Sequence, residues 1–209
     1  MSDYIHHTMF PLGEDLTIYR KLDGHIVTSV NFDSEKVIKI DLDAISALTF
    51  EAFKDTSHLL RSSHLKSLRK IFDDPEASDN DKFVALDLLK NANIAAGRIL
   101  PMCQDTGTAI VMAKKGQMVW TGGGDEAAIS EGVLRTFTET NLRYSQVAPL
   151  DFFTEKNTGN NLPAQIEIFA EEGDQYKFLF IAKGGGSANK TFLYQETKAL
   201  LNEERLISF

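Results

Sequence analysis

The chain has 209 residues, of which 43% are hydrophobic, so it can bury a sizeable core and is not predicted to be disordered. Its 30 acidic residues outnumber its 22 Lys and Arg residues, and the formal net charge of -8 disfavours binding to nucleic acid or to an anionic membrane. No stretch reaches the roughly 18 apolar residues of a membrane-spanning helix, and the N-terminus lacks the features of an export signal, so we expect a cytoplasmic protein.

The first half of the chain is predicted to be mostly helical. Residues 1–40 are a mixed extension with one strand at 37–40, and residues 43–97 carry helical periodicity with a second segment at 63–72. Ser78 and Asp81 have the spacing of a capping box, and Gly97 ends the helix that follows. The residues predicted to share one face of the first helix are Ile45, Leu48, Ala52, Thr56, Leu59 and Leu60, and those that form the apolar stripe of the last are Ala85, Leu88, Leu89, Ala92, Ala95 and Ala96.

Residues 100–209 are predicted to form a sheet with glycine-rich loops and further helices. Short apolar runs indicate strands at 109–112 and 118–120, and Ile129, Val133 and Phe137 define one face of a helix over 125–141. The alternating run at 166–170 and the run at 176–182 flank a turn at Gly173, which predicts a hairpin, and a last helix is predicted over 191–202. The expected fold class is α+β, a helical N-terminal half packed on a mixed β-sheet.

The only cysteine, Cys103, lies in the segment LPMCQDTGT between a predicted helix and a predicted strand. A lone cysteine excludes an internal disulfide and a metal site built from several of the chain's own cysteines. It is either a buried cysteine in a turn or a thiolate ligand or nucleophile beside a carboxylate. None of the five histidines stands in a recognisable partner motif for a nucleophile.

Two glycine triplets, residues 122–124 and 184–186, each precede a predicted helix. They are either tight turns or anion sites, because glycine allows a ligand to approach the free N–H groups at a helix N-terminus. Neither has the spacing of a nucleotide-binding loop, and Lys183 and Lys190 beside the second favour a carboxylate. Arg143 is either a surface residue or a fork that grips a carboxylate through two hydrogen bonds.

Five segments together resemble the N-terminal region of class I, iron-sulfur-dependent fumarate hydratases. They occur in the family's order over roughly residues 75–201. The segments are LPMCQDTGTA, VWTGGGDEAA, NLRYSQVAPLD, NTGNNLPAQI and FLFIAKGGGSANKTFLYQETKALL.

The resemblance implies reversible hydration of fumarate to (S)-malate, a tricarboxylic acid cycle reaction, on a 4Fe-4S cluster held by three cysteines with one open iron. It implies that Cys103 is the first cluster ligand and that Asp105 is a catalytic acid/base or second-shell candidate. The residues implied to lie at the substrate site are Gln104, Asp105, Arg143 and Gly186.

The family's other two cluster cysteines lie downstream of the last matching segment, so we expect residues 1–209 alone to be inactive. The rest of the enzyme is expected in the same polypeptide or in a second chain, and the complete enzyme is expected to be a homodimer. The rivals are a hydro-lyase acting on tartrate or a methyl-substituted fumarate such as mesaconate, and a non-catalytic subunit that supplies one cluster ligand. A dinucleotide-binding oxidoreductase is disfavoured by the glycine spacing.

Overall fold

A computed structural model describes residues 5–7, 10–14, 18–24, 27–102, 107–143, 145–184 and 192–209. The helices are α1 Leu42–His58, α2 Ser62–Lys70, α3 Asp79–Ala95, α4 Asp125–Glu139 and α5 Glu203–Ser208, with 3-10 turns at Ile71–Asp73 and Lys198–Leu200. The strands are β1 Val27–Phe32, β2 Glu35–Ile40, β3 Thr108–Gly116, β4 Val119–Trp120, β5 Val147–Pro149, β6 Glu155–Asn157, β7 Gln165–Glu171 and β8 Tyr176–Lys183. Helices combined with mixed sheets confirm the predicted α+β class.

The central sheet has the strand order β7-β3-β8, with β3 parallel to β7 and antiparallel to β8. The predicted hairpin is therefore wrong, because β3 lies between the two strands that were expected to pair. The connection between β7 and β8 passes over the end of β3, where Gly116 N donates to Gln175 O (2.8 Å) and Met118 N donates to Gly173 O (3.0 Å). Alternation along a strand shows which face is buried, but it does not identify the neighbouring strand.

Helices α1 and α4 pack against each other and against one face of this sheet. They approach closely at Gly132, where an added Cβ would lie 2.5 Å from Ser46 O and 2.5 Å from Thr49 Cβ. The predicted face of α4 is buried in the core, which consists of Ile45, Phe53, Ala109, Val111, Ala128, Ile129, Val133, Phe137 and Leu142. None of the helices in the described ranges has both the length and the apolar character needed to cross a membrane.

Local signals in the first half agree with the structure. The capping box at α3 is present: Asp81 N donates to Ser78 Oγ (3.2 Å), and Ser78 N donates to the Asp81 carboxylate (2.9 Å). The strand predicted at 37–40 begins at Glu35, and it pairs with β1, which the sequence did not indicate. Along the predicted stripe of α3 only the alanines Ala85, Ala92 and Ala95 are buried.

The C-terminal helix lies later than predicted. Thr191 is outside the described residues, and residues 192–197 are not helical, so the predicted helix over 191–202 is wrong for the described part of that range. Residues 192–199 are all exposed, so within the described ranges they lack the buried apolar face that would stabilise a helix. Instead α5 begins after Asn202, whose side chain accepts a hydrogen bond from Arg205 N (3.0 Å) and caps the helix.

Candidate functional site

One end of the central sheet gathers several of the segments singled out in the sequence. Strand β8 ends where β3 begins, with Thr108 paired to Lys183, and β7 begins at the same end, with Gln165 paired to Ile110. The loops that precede β3 and β7 and the loop that follows β8 therefore leave the sheet side by side. We call this the converging end of the sheet.

Four of the five predicted site residues lie outside the described residues: Cys103, Gln104, Asp105 and Gly186. Their described neighbours in sequence are Met102, Gly107 and Gly184. All three belong to the loops at the converging end. The fifth residue, Arg143, is described and exposed.

Gly107 is in direct contact with the end of β8. A Cβ at Gly107 would overlap the Lys183 carbonyl oxygen and would lie 2.9 Å from the Gly184 Cα. The φ of Gly107 is +30°, which other residues rarely adopt. Glycine is thus required here on two grounds, and its lack of a side chain lets the residue before β3 contact Lys183 and Gly184 at the end of β8.

Asn161 joins three segments at the converging end. Its side chain is fully buried, and Nδ2 donates to Gly107 O (2.9 Å). Its Oδ1 accepts from Ser145 N (3.0 Å) and from Gln146 N (3.1 Å). Asn161 lies in the NTGNNLPAQI segment, but no role was predicted for it from the sequence. Its only sequence signal is a polar residue within that segment.

The segment that carries Arg143 is held from both sides. Before it, Asn141 Nδ2 donates to Ile99 O (2.8 Å). After it, the Gln146 side chain accepts a hydrogen bond from Thr108 Oγ1 (3.0 Å), so the segment is tied directly to the first residue of β3. The structure therefore brings the segment of Arg143 next to Thr108, which follows Cys103 by five residues in sequence.

The C-terminus of α1 contacts the residue before Cys103. Met102, which is buried, donates its backbone N–H to Ser57 O (3.0 Å). The next residue of α1, His58, is fully buried and donates Nδ1–H to Lys54 O (2.7 Å), because a carbonyl can only accept. Its Nε2 is buried without a hydrogen-bond partner among the described residues. Periodicity gave no sign of this location, since His58 is far from Cys103 in sequence.

The first glycine triplet lies at the other end of the sheet. Residues 122–124 have left-handed φ values of 79°, 97° and 81° and lead into α4. They lie near Lys115, at the far end of β3, which is roughly 23 Å from Thr108 at about 3.3 Å per residue. The structure therefore does not bring the first triplet to the converging end.

Asp125, the first residue of α4, occupies the place where an anion would bind. Its carboxylate accepts from Lys115 Nζ (2.7 Å), from Tyr176 Oη (2.9 Å) and from Thr121 Oγ1. Burial alone would raise the pKa of Asp125, but hydrogen bonds from Lys115, Thr121 and Tyr176 outweigh it and hold the pKa below its usual value. Burial and then the neighbouring carboxylate raise the pKa of Tyr176. The charge at this helix N-terminus is thus supplied by the protein itself.

Sequence similarity to known proteins extends over nearly the whole chain. The sequence model of the family described as Fumarate hydratase (Fumerase) matches residues 46–208. The chain is 55% identical over 206 residues to "Fumarate hydratase class I, anaerobic" of Escherichia coli (strain K12), covering 99% of this chain and 38% of that protein. It is 60% identical over 195 residues to "Fumarate hydratase 1, mitochondrial" of Leishmania major, covering 92% of this chain and 36% of that protein.

The chain belongs to the fumarate hydratase family, and its similarity is to the class I members. It spans less than two fifths of the length of these two relatives. A more distant similarity, 29% over 153 residues, is to "Putative L(+)-tartrate dehydratase subunit alpha" of Methanocaldococcus jannaschii, covering 71% of this chain and 53% of that protein.

Proposed function

We propose that this chain forms one wall of the active site of an enzyme that reversibly hydrates fumarate to (S)-malate. The observation that supports this most strongly is the contact between three segments at the converging end. Gly107 follows Asp105 by two residues, Ser145 follows Arg143 by two, and Gly184 precedes Gly186 by two. Because Gly107 contacts Gly184 and Asn161 bridges Gly107 to Ser145, the proposed substrate residues are attached to a common framework.

In this proposal each residue has a distinct task. Asp105 is the acid/base or second-shell carboxylate, and Gln104 and Gly186 bind the substrate. Removing a proton next to a carboxylate moves negative charge onto that carboxylate, and the planar guanidinium of Arg143 can stabilise the charge through two parallel hydrogen bonds. A preorganised cation is most effective when it is held in position before the reaction begins.

The 4Fe-4S cluster of the class I family needs more thiolates than this chain has. The sequence contains one cysteine, and the described ranges hold no group of three His, Cys, Asp or Glu residues that could bind a metal ion. A cluster with three cysteine ligands therefore does not fit the chain by itself. We propose that Cys103 supplies one thiolate and that the rest of the enzyme, in the same polypeptide or in a second chain, supplies the others.

The test of the substrate uses the complete enzyme, purified without oxygen. Initial rates with fumarate, mesaconate and tartrate give kcat/KM for each diacid. We expect fumarate to be the best substrate, because the fumarate hydratases are 53–60% identical to this chain whereas the tartrate dehydratase relative is 29% identical. A higher kcat/KM for tartrate would assign the chain to that rival activity.

A second experiment distinguishes a chain that contributes substrate-binding residues to the active site from a subunit that supplies only one cluster ligand. The name of the Methanocaldococcus relative includes "subunit alpha", which favours testing a second chain. Residues 1–209 alone are expected to show no fumarate turnover after anaerobic incubation with iron and sulfide. If a second gene product restores turnover, the rate of the Arg143→Lys variant distinguishes the two cases. An unchanged rate indicates a subunit that supplies only a cluster ligand, and a reduced rate indicates that this chain also binds the substrate.

A further inference from the structure

Asn161 is a buried side chain whose hydrogen bonds all go to the backbone of other segments. It is 0% exposed and has a φ of +58°, the left-handed region that asparagine tolerates better than most residues. A buried carboxamide is costly unless its polar atoms are paired. Here the pairing partners are Gly107, Ser145 and Gln146, which belong to the two segments that carry Asp105 and Arg143.

The carboxamide matches these partners in a way that other side chains do not. Its oxygen has two lone pairs for the two backbone N–H groups, and its NH₂ group donates to the Gly107 carbonyl. An aspartate would keep the acceptor oxygen but would lose the donor and direct a negative charge at that carbonyl. A glycine would keep the backbone conformation but would leave the two half-buried N–H groups and the buried Gly107 carbonyl without this partner.

The sheet does not hold the Arg143 segment in the way that it holds Gly107. The β3–β8 ladder fixes Gly107 next to Gly184, whereas residues 141–146 follow the end of α4 and precede β5 in a separate sheet. The side-chain bonds that link this segment to the start of β3 include the Gln146–Thr108 bond and the bonds of Asn161. Asn161 contacts both segments at once.

We propose that Asn161 is a positioning residue of the substrate site, which sets the separation between Gly107, two residues after Asp105 in sequence, and the segment that follows Arg143. The inference rests on the proposed function, because it assumes that a single dicarboxylate contacts both segments. Its consequence is kinetic. A displaced Arg143 still binds a carboxylate, but the substrate no longer lies at the productive distance from the other segment, and kcat falls more than KM rises.

The test compares Asn161→Asp and Asn161→Gly with wild type in the complete enzyme, prepared without oxygen. Asn160→Asp is the matched control, because Asn160 uses only its acceptor oxygen, which receives Leu162 N (3.0 Å), and aspartate keeps that oxygen. Fumarate hydration gives kcat and KM, and iron and sulfide content per protein reports the cluster. We expect kcat/KM to fall about 100-fold in both Asn161 variants, mainly through kcat, since misplacement by about 1 Å has an effect of this size.

The outcomes separate the two proposals. The positioning role is supported if the Asn161 variants lose kcat while they keep the wild-type iron and sulfide content. The Asn160→Asp control should keep its kcat/KM within twofold of wild type. The positioning role is overturned if kcat/KM of the Asn161 variants stays within twofold of wild type. It is also overturned if the rate falls only in proportion to the loss of iron and sulfide or of folded protein. If Asn161→Asp does not fold, Asn161→Gly still provides kcat and KM, because glycine adopts the left-handed φ without strain. A wild-type enzyme without fumarate turnover would instead overturn the proposed function, and the positioning role with it.

Discussion

The backbone of Gly107 lies directly against the backbone of Lys183, with no room for a side chain between them. A methyl group at Gly107 would lie 2.7 Å from the Lys183 carbonyl carbon, so one of the two segments must move. We expect Gly107→Ala to reduce the free energy of unfolding by about 3 kcal/mol, the upper part of the range for overpacking. Urea unfolding of residues 1–209, followed by circular dichroism, measures the change.

Gly159→Ala is the control for this substitution. Gly159 also has a positive φ, +74°, but no atom lies within 4 Å of its added Cβ. Its cost is therefore only the left-handed conformation, about 1 kcal/mol. Equal losses for the two variants would show that the contact between Gly107 and Lys183 contributes nothing beyond backbone conformation.

Replacing Lys114 is predicted to stabilise the fold rather than destabilise it. The side chain lies on the face of β3 away from α1 and α4, is only 7% exposed, and its Nζ has no hydrogen-bond partner within the described ranges. A buried charge without a partner is destabilising, so Lys114→Met is expected to raise the free energy of unfolding by about 1 kcal/mol. Lys177→Met, on the same face but exposed, should change it by less than about 0.5 kcal/mol. A loss of stability in Lys114→Met would reveal an acidic partner or a bound anion.

The lowered pKa of Asp125 predicts how the free energy of unfolding changes at low pH. Its folded-state pKa is lowered, so its contribution is present above the unfolded value of about 3.9 and is lost as the pH falls through the lower folded value. Asp125→Asn should flatten the decline in unfolding free energy below about pH 5. Glu126→Gln removes the same charge from the same turn of α4 at an exposed position and should leave the slope unchanged. Parallel slopes for Asp125→Asn and wild type would contradict the prediction.

How far the sequence predicts this structure depends on how local each interaction is. The capping box at Ser78 and Asp81 was predicted correctly because both partners lie within one helical turn. The pairing of β7 and β8 was predicted wrongly, because the strand that separates them comes from much earlier in the chain. Helix α5 was misplaced because the described residues before it, 192–199, are exposed and bury no face that would stabilise a helix.

The same distinction applies to the site. The signature segments around Cys103 and Arg143 could be identified by resemblance, without any knowledge of their packing. Asn161 and His58 could not, because their hydrogen bonds and burial exist only in the folded chain. A single asparagine in a loop gives no indication that its side chain joins Gly107 to Ser145, two residues that are far apart in sequence. The contacts of Asn161 and His58 depend on how distant segments of the chain pack together in the fold.

Arg143→Lys tests the proposed grip on the substrate carboxylate. Lysine keeps the positive charge but loses the planar pair of donors, so we expect kcat/KM for fumarate to fall about thirtyfold, which corresponds to about 2 kcal/mol. Arg69→Lys is the control, because Arg69 is an exposed residue of α2 that pairs with Asp73 (3.0 Å), and it should leave the rate unchanged. If Arg143→Lys matches wild type, Arg143 is an ordinary surface residue.

The most direct test of the proposed active site is Cys103→Ser in the complete enzyme, prepared and assayed without oxygen. A serine hydroxyl is a poor replacement for a soft thiolate on iron, so the variant should lose its iron and sulfide and nearly all fumarate hydration. Circular dichroism should show that the fold is retained, since the described hydrogen bonds on either side are made by backbone atoms of Met102 and Gly107. Wild-type cluster content together with a wild-type rate in Cys103→Ser would contradict the account and would remove Cys103 from the site.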